Sequence, residues 1–205
     1  MSIRTVLIAL LAIVPIAAPA LPPPVTESWD GRAASRGQPA LMTTMLTEHN
    51  RVRAASGAPQ LVWDDALAAD ARAYAAEMSD RDVFEHDPNN NGQGENLFTG
   101  TRGAFSYLEM ANGWIEEARH FRAGQFPDVS RSGDWTDVGH YTKMIWPETR
   151  QVGCAVASSK SDDYLVCRYF PAGNVTGVAM RSEQRGDQLA ERGGAVADRV
   201  LLASR

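Results

Sequence analysis

The chain has 205 residues, 44% of them hydrophobic and 22% charged, with a formal net charge of −5. That balance excludes a disordered, fibrous or multi-span membrane protein and fits one main soluble domain. Across residues 41–177, twelve Lys and Arg face nineteen Asp and Glu, a balance of −7, so this core has no electrostatic footprint for nucleic acid or for an anionic lipid surface.

The N-terminus reads as a signal peptide over residues 1–20. Arg4 gives a positive start, an apolar run broken only by Pro15 follows, and Ala18-Pro19-Ala20 has the small-x-small pattern of a cleavage site. No stable membrane span is expected after cleavage, and the product is expected to be secreted or periplasmic. The only two cysteines, Cys154 and Cys167, then meet an oxidising compartment, where one disulfide is expected rather than two free thiols or a metal site.

Residues 21–40, rich in Pro, Gly, Ser and Ala, read as a linker, and residues 178–205 as a charged tail. Between them, helical spacing aligns Leu41, Met42, Met45, Leu46, His49 and Val52 in a first helix stopped by Gly57-Ala58-Pro59. A second helix starts after an Asp64 N-cap and aligns Leu67, Ala71, Tyr74 and Met78. A third spans 103–121, with Tyr107, Ala111, Trp114, Ala118 and Phe121 on its core side.

Segments 139–146, 151–157 and 164–170 are short, β-branched and aromatic, and predict strands. The last two form a hairpin around the Ser-rich segment 158–163. If its register is symmetric, paired positions sum to 321, which sets Cys154 opposite Cys167 within reach of a disulfide.

Four histidines are present. His120 points away from the apolar stripe of the third helix and reads as solvated. His49, between Met45 and Val52, reads as a hydrogen-bonded core residue. His86 opens a polar Asn/Gly-rich loop, where a plain surface histidine and a mounted functional one are both open readings. Glu117 lies at the edge of the Trp114 and Phe121 face, as a rim carboxylate or as the partner of a cation, donor or metal. Its neighbour Glu116 points outward. His-Glu-x-x-His, Gly-x-Ser-x-Gly, Cys-x-x-Cys and phosphate-binding glycine loops are all absent from the sequence.

Six ordered segments carry a resemblance: Glu48-His49-Asn50-Arg51, Leu61-Val62-Trp63-Asp64, Gly94-Glu95-Asn96-Leu97, Gly139-His140-Tyr141-Thr142-Lys143-Met144-Ile145-Trp146, Gly153-Cys154-Ala155, and residues 167–174. In order and spacing, residues 41–177 resemble the CAP superfamily, the SCP-domain proteins that include cysteine-rich secretory, antigen 5 and pathogenesis-related 1 types. The resemblance implies an α+β fold, a three-layer α-β-α sandwich with a central antiparallel sheet. It also implies a cleft lined by His86, Glu95, Glu117 and His140. On chemical grounds, His86 and His140 would bind zinc or another divalent metal. The glutamates would bind the ion, hold its water or orient the imidazoles.

Two functions follow. One is a binding module for a lipid, sterol or cell-envelope component. The other is a metal-dependent hydrolase of peptide or envelope substrates, with the four cleft residues as its catalytic tetrad. Lys143 stands where the family often has glutamine, adding a positive charge near His140 that weakens metal affinity or favours an anionic ligand.

Overall fold

A computed structural model of the protein describes residues 36–180. The expected signal peptide, the expected linker up to residue 35 and the expected tail from residue 181 lie outside the described residues.

Helix α1 (Gln38–Ser56) takes in the last three residues of the expected linker, with a proline in its first turn, where a missing N–H costs nothing. It stops at Gly57, which takes the left-handed φ of 72° that glycine tolerates. Strand β1 (Val62–Trp63) follows, then α2 (Asp65–Arg81), whose first turn is capped as expected by Asp64 accepting from the Leu67 amide. Strand β2 (Gly94–Thr101) leads to α3 (Tyr107–Ile115). A reciprocal Ser106 and Glu109 capping box starts α3, and it tightens into a 3-10 turn over Glu116–Arg119. The third helix is thus shorter than periodicity predicts.

The short strand β3 (Gly124–Gln125) and a 3-10 turn (Trp135–Val138) precede α4 (Gly139–Met144). The hairpin of β4 (Gln151–Ser158) and β5 (Asp162–Phe170) and the short β6 (Ala179–Met180) complete the order. β6 pairs with β3, so ordered structure runs past residue 177.

The segment at 139 is therefore a helix and not the expected strand. Its aromatic and β-branched residues carry β-propensity, but a tertiary carboxylate accepts from the amides of His140 and Tyr141 and favours a helical turn.

The main sheet has the order β1-β4-β5-β2, antiparallel across its three long strands, with the two-residue β1 parallel at one edge. The hairpin register pairs Val152 with Tyr169, Cys154 with Cys167 and Val156 with Leu165, as symmetry about the loop predicts. Cys154 and Cys167 are disulfide-bonded with Cα atoms 4.1 Å apart.

Alternation along the strands divides the core in two. Ala155, Tyr164 and Val166 face α2, packing on Ala71, Tyr74, Ala75 and Met78. Val152, Cys154, Leu165 and Tyr169 face α1, α3 and α4, meeting Met45, Met110, Trp114 and Met144. Helices thus cover both faces, giving the α-β-α sandwich. Gly153 allows the closest approach: a Cβ there would lie 2.2 Å from the Ala68 amide, so α2 rides directly on β4. Among the described residues no helix is long and apolar enough to cross a membrane.

Two polar residues of α1 are fully buried. Arg53 donates to four carbonyls, of Pro59, Met144, Trp146 and Thr149, at 2.5–2.9 Å, tying α1 to the chain between α4 and β4. Burial lowers its pKa from the ordinary arginine value to about 10. His49 is the core residue its spacing predicts. Because the Met45 carbonyl only accepts, His49 Nδ1 donates to it, and Nε2 accepts from the Tyr169 hydroxyl, both at 2.7 Å.

Burial lowers the His49 pKa from 6.5 to about 4, partly opposed by the Met45 hydrogen bond. The unfolded chain therefore takes up this proton at a higher pH than the folded one. The stability contributed by neutral His49 is whole above pH 6.5 and is lost as pH falls towards about 4, at about 1.4 kcal/mol per pH unit. Urea unfolding across that interval should show this slope. His49→Gln, less stable at neutral pH, should lack the one-proton component, and parallel slopes for the two proteins would refute the assignment.

Candidate functional site

The site forms where the free edge of the sheet meets the loop after α2 and the start of α4. Glu95 and Asn96 are successive residues of edge strand β2, so their side chains point to opposite faces of the sheet. Both nonetheless line one cleft of about 410 Å³, together with His86, His140, Lys143 and Trp135. The cleft therefore wraps around the sheet edge.

The α2 side carries the first pair. His86 Nδ1 lies 2.6 Å from Glu95 Oε1, and that oxygen also accepts from the Asp87 amide at 3.1 Å. A carboxylate only accepts, so Nδ1 carries the hydrogen, and Nε2 has no hydrogen-bond partner among the described residues. The Glu95 side chain is 3% exposed and that of His86 69%, which puts the acid behind and the imidazole in front. Register places Arg168 of β5 directly opposite Glu95. Its Nη2 reaches Glu95 Oε2 at 3.1 Å and Asp87 Oδ2 at 2.5 Å, and its guanidinium lies 5.2 Å from the Tyr74 ring centre. The loop is further fastened by the Tyr74 hydroxyl donating to the Glu85 carbonyl. His86 is thus a mounted residue on an exposed loop.

The other side carries the second pair. The 3-10 turn after α3 presents Glu117, whose Oε1 lies 2.6 Å from His140 Nδ1. Its Oε2 accepts from the His140 and Tyr141 amides at 2.9 and 3.0 Å. One carboxylate thereby fixes both the ring and the backbone that bears it. The His140 ring stacks on Trp114, with centroids 6.0 Å apart and planes 13° apart, and Trp114 donates to the Leu97 carbonyl. Again Nε2 is the nitrogen without a protein partner among the described residues. Glu116 is exposed, as the helical wheel predicts. His120, away from the cleft, is half-buried and accepts from Arg119.

Sequence reasoning brings together His86, Glu95, Glu117 and His140, and the structure places them as two imidazole–carboxylate pairs. It misses Trp135, Arg168 and Asp87. A tryptophan in the polar run Ser132-Gly133-Asp134-Trp135-Thr136-Asp137 and an arginine inside the apolar run of β5 are both anomalies that flag a local role. Lys143 does line the cleft. Its ammonium donates only to the Gly173 carbonyl at 3.4 Å, and burial pulls its pKa below the ordinary lysine value, partly opposed by Glu95.

Two imidazoles with committed Nδ1 atoms suit a divalent cation of borderline softness, because each carboxylate fixes the tautomer that leaves Nε2 to bind. Among the described residues no group of three or more His, Cys, Asp or Glu side chains is arranged to hold a metal.

Comparison with known proteins agrees with this architecture. Residues 46–169 match the model of the cysteine-rich secretory protein family, CAP. Pathogenesis-related protein PR-1 of Medicago truncatula is 34% identical over 134 residues, covering 64% of this chain and 74% of that protein. CRISP/Allergen/PR-1 of Trittame loki is also 34% identical, over 159 residues, and the match spans 64% of this chain but 38% of that longer protein. Among solved structures, NaASP2 with Zn2+ superposes with a TM-score of 0.58 at 24% identity, covering 73% of this chain and 88% of that one. BmVAL-1 gives 0.60 at 22% identity, with 73% and 85% covered. The structural likenesses establish the shared fold, the family match spans more than half of the sequence, and the chain belongs to the cysteine-rich secretory protein (CAP) family.

Proposed function

We propose that the protein is an exported CAP-domain binding module whose cleft holds a divalent metal ion, zinc by chemistry, and an envelope component beside it. The observation that carries this reading is the pair of carboxylates, Glu95 buried and Glu117 half-buried, each spent on the Nδ1 of a cleft imidazole. His86 and His140 would hold the ion through Nε2, and a bound ion would supply a Lewis-acidic centre for ligand oxygens. The Zn2+ in the NaASP2 structure supports the choice of metal. Secretion, the signal peptide over residues 1–20 and the charged tail belong to the same proposal.

The hydrolase reading needs one glutamate as a general base. Glu117 already accepts three hydrogen bonds, and Glu95 sits between His86, the Asp87 amide and Arg168. Both carboxylates hold imidazoles in place, which favours binding over turnover. Trp135 is the one large apolar side chain on the walls of this cleft, so a sterol or acyl chain would lie against it or in an apolar groove beside it.

Calorimetric titration of chelator-treated protein should show one zinc ion per chain, with binding lost in His86→Ala and in His140→Ala. Zinc binding unchanged in both variants would sink the proposal.

A separate expectation concerns Glu117→Gln. Nitrogen NMR of the His140 ring should change from a single Nδ1–H tautomer to a mixture, zinc affinity should fall about 10–100-fold, and folding stability should drop by about 1–3 kcal/mol. An unchanged ring spectrum would mean that Glu117 does not set the tautomer.

A further inference from the structure

We infer that Asn91 is a self-modification site: the backbone nitrogen of Gly92 attacks its side-chain amide carbon, and the loop beside the cleft is converted to an aspartyl or isoaspartyl form. The inference stands apart from the metal reading, because it needs only the loop and water. Asn-Gly occurs twice in the chain, at Asn91-Gly92 and Asn112-Gly113. Glycine has no Cβ to crowd its own nitrogen, so both pairs carry the favourable dipeptide. Their settings are opposite. Asn112 is 7% exposed within α3, where helical hydrogen bonds and the core contacts of Met110 and Trp114 hold the backbone. Bringing its amide carbon onto the Gly113 nitrogen requires unwinding that helix.

Asn91 and Gly92 are both exposed. They are the central residues of a two-residue turn, with φ of 54° and 73°, closed by the Gln93 amide donating to the Asn90 carbonyl at 3.0 Å. That bond and the Gly92 amide's bond to Asn90 Oδ1 at 3.1 Å are what a fluctuation has to break for the turn to open. No atom lies within 4 Å of the place a Cβ of Gly92 would take, so the approach is unobstructed. The Gly92 amide gives up its proton to hydroxide, its nitrogen bonds to Asn91 Cγ, the Cγ–Nδ2 bond breaks, and ammonia leaves with a proton from water. The five-membered succinimide then takes up water. Opening at Cγ yields aspartate, and opening at the backbone carbonyl yields isoaspartate, whose main chain has one more methylene. No oxidant or reductant is required.

The position of the turn gives the reaction a consequence. Asn90 and Gln93 flank the pair and both line the cleft, so an added methylene between them moves that wall. On its other side the loop borders a hollow of about 250 Å³ that Asn91 shares with Asp70, Glu77 and Asp87, and a new carboxylate there meets like charge. The ends of the loop are pinned. His86 and the Asp87 amide are bound to Glu95, and Arg168 reaches both Asp87 and Glu95. Conversion therefore rewrites one wall and leaves the two imidazole–carboxylate pairs in place.

The test incubates the full chain at mildly acidic and at mildly alkaline pH, then maps its peptides by mass spectrometry with fragmentation that separates isoaspartate from aspartate. The peptide holding Asn91 should gain about 1 Da, with isoaspartate as the larger product. The gain should be about tenfold or more faster at the alkaline pH, because the attacking amide must lose a proton. The peptide holding Asn112 should stay unchanged until urea unfolds the protein, when both react. Asn91→Gln, whose ring would have six members, should slow the gain about tenfold or more. In NMR spectra of converted protein the side-chain amides of Asn90 and Gln93 should shift while the ring nitrogens of His86 and His140 do not. No conversion of Asn91 in the folded chain, conversion of Asn112 at an equal rate, or aspartate without isoaspartate overturns the inference. Unmoved Asn90 and Gln93 signals overturn its consequence for the cleft.

Discussion

A carboxylate set behind each cleft imidazole, Glu95 buried and Glu117 half-buried, is the constraint on which the rest of this site depends. Removing an acid from water is costly, and each of these is compensated by donors that also do something else. Glu117 binds one ring nitrogen and two backbone amides of α4, so the same hydrogen bonds that satisfy it start the helix and orient His140. Glu95 is held by the His86 ring, the Asp87 amide and an arginine delivered by strand register. Folding energy and site geometry are therefore the same interactions. The outward imidazole nitrogens are what remains after the inward ones are spoken for.

The scaffold behind the cleft follows a similar logic of polar groups satisfied inside an apolar frame. Arg53, without an acidic partner among the described residues, gathers four carbonyls and so fixes the chain leaving α4. His49 joins α1 to β5 through Tyr169 and sits edge-on to Trp114, the ring on which His140 stacks. The placement of His140 is thus supported from Glu117 on one side and from the α1 to β5 core on the other. A single disulfide lies inside one hairpin and ties no layer to another, which leaves the sandwich to packing and to these buried networks.

What the sequence discloses depends on whether the deciding interactions are local. The Asp64 cap, the Gly57 stop and the symmetric register through Cys154 and Cys167 are set within a few residues or by a period of two, and they are legible. Segment 139–144 is not, because the groups that make it helical are the distant Glu117 oxygens acting against local β-propensity. Strand β2 escapes for the opposite reason: Glu95, Asn96 and Leu97 are all buried, so no alternation marks it. Resemblance supplied the four cleft residues together. Trp135 and Arg168 belong to no pattern of spacing, and only their partners in space explain them.

The break at the end of α3 carries a consequence for how such a cleft is tuned. Over Glu116–Arg119 the backbone winds by about 120° per residue instead of about 100°. Two residues beyond Ile115, this swings Glu117 by about 40° relative to a continued α-helix. The overwound turn acts as a gear that aims the acid at its imidazole. Relaxing it would turn Glu117 away from His140 while every residue on the cleft walls stayed the same, so backbone pitch sets the imidazole's orientation alongside side-chain identity.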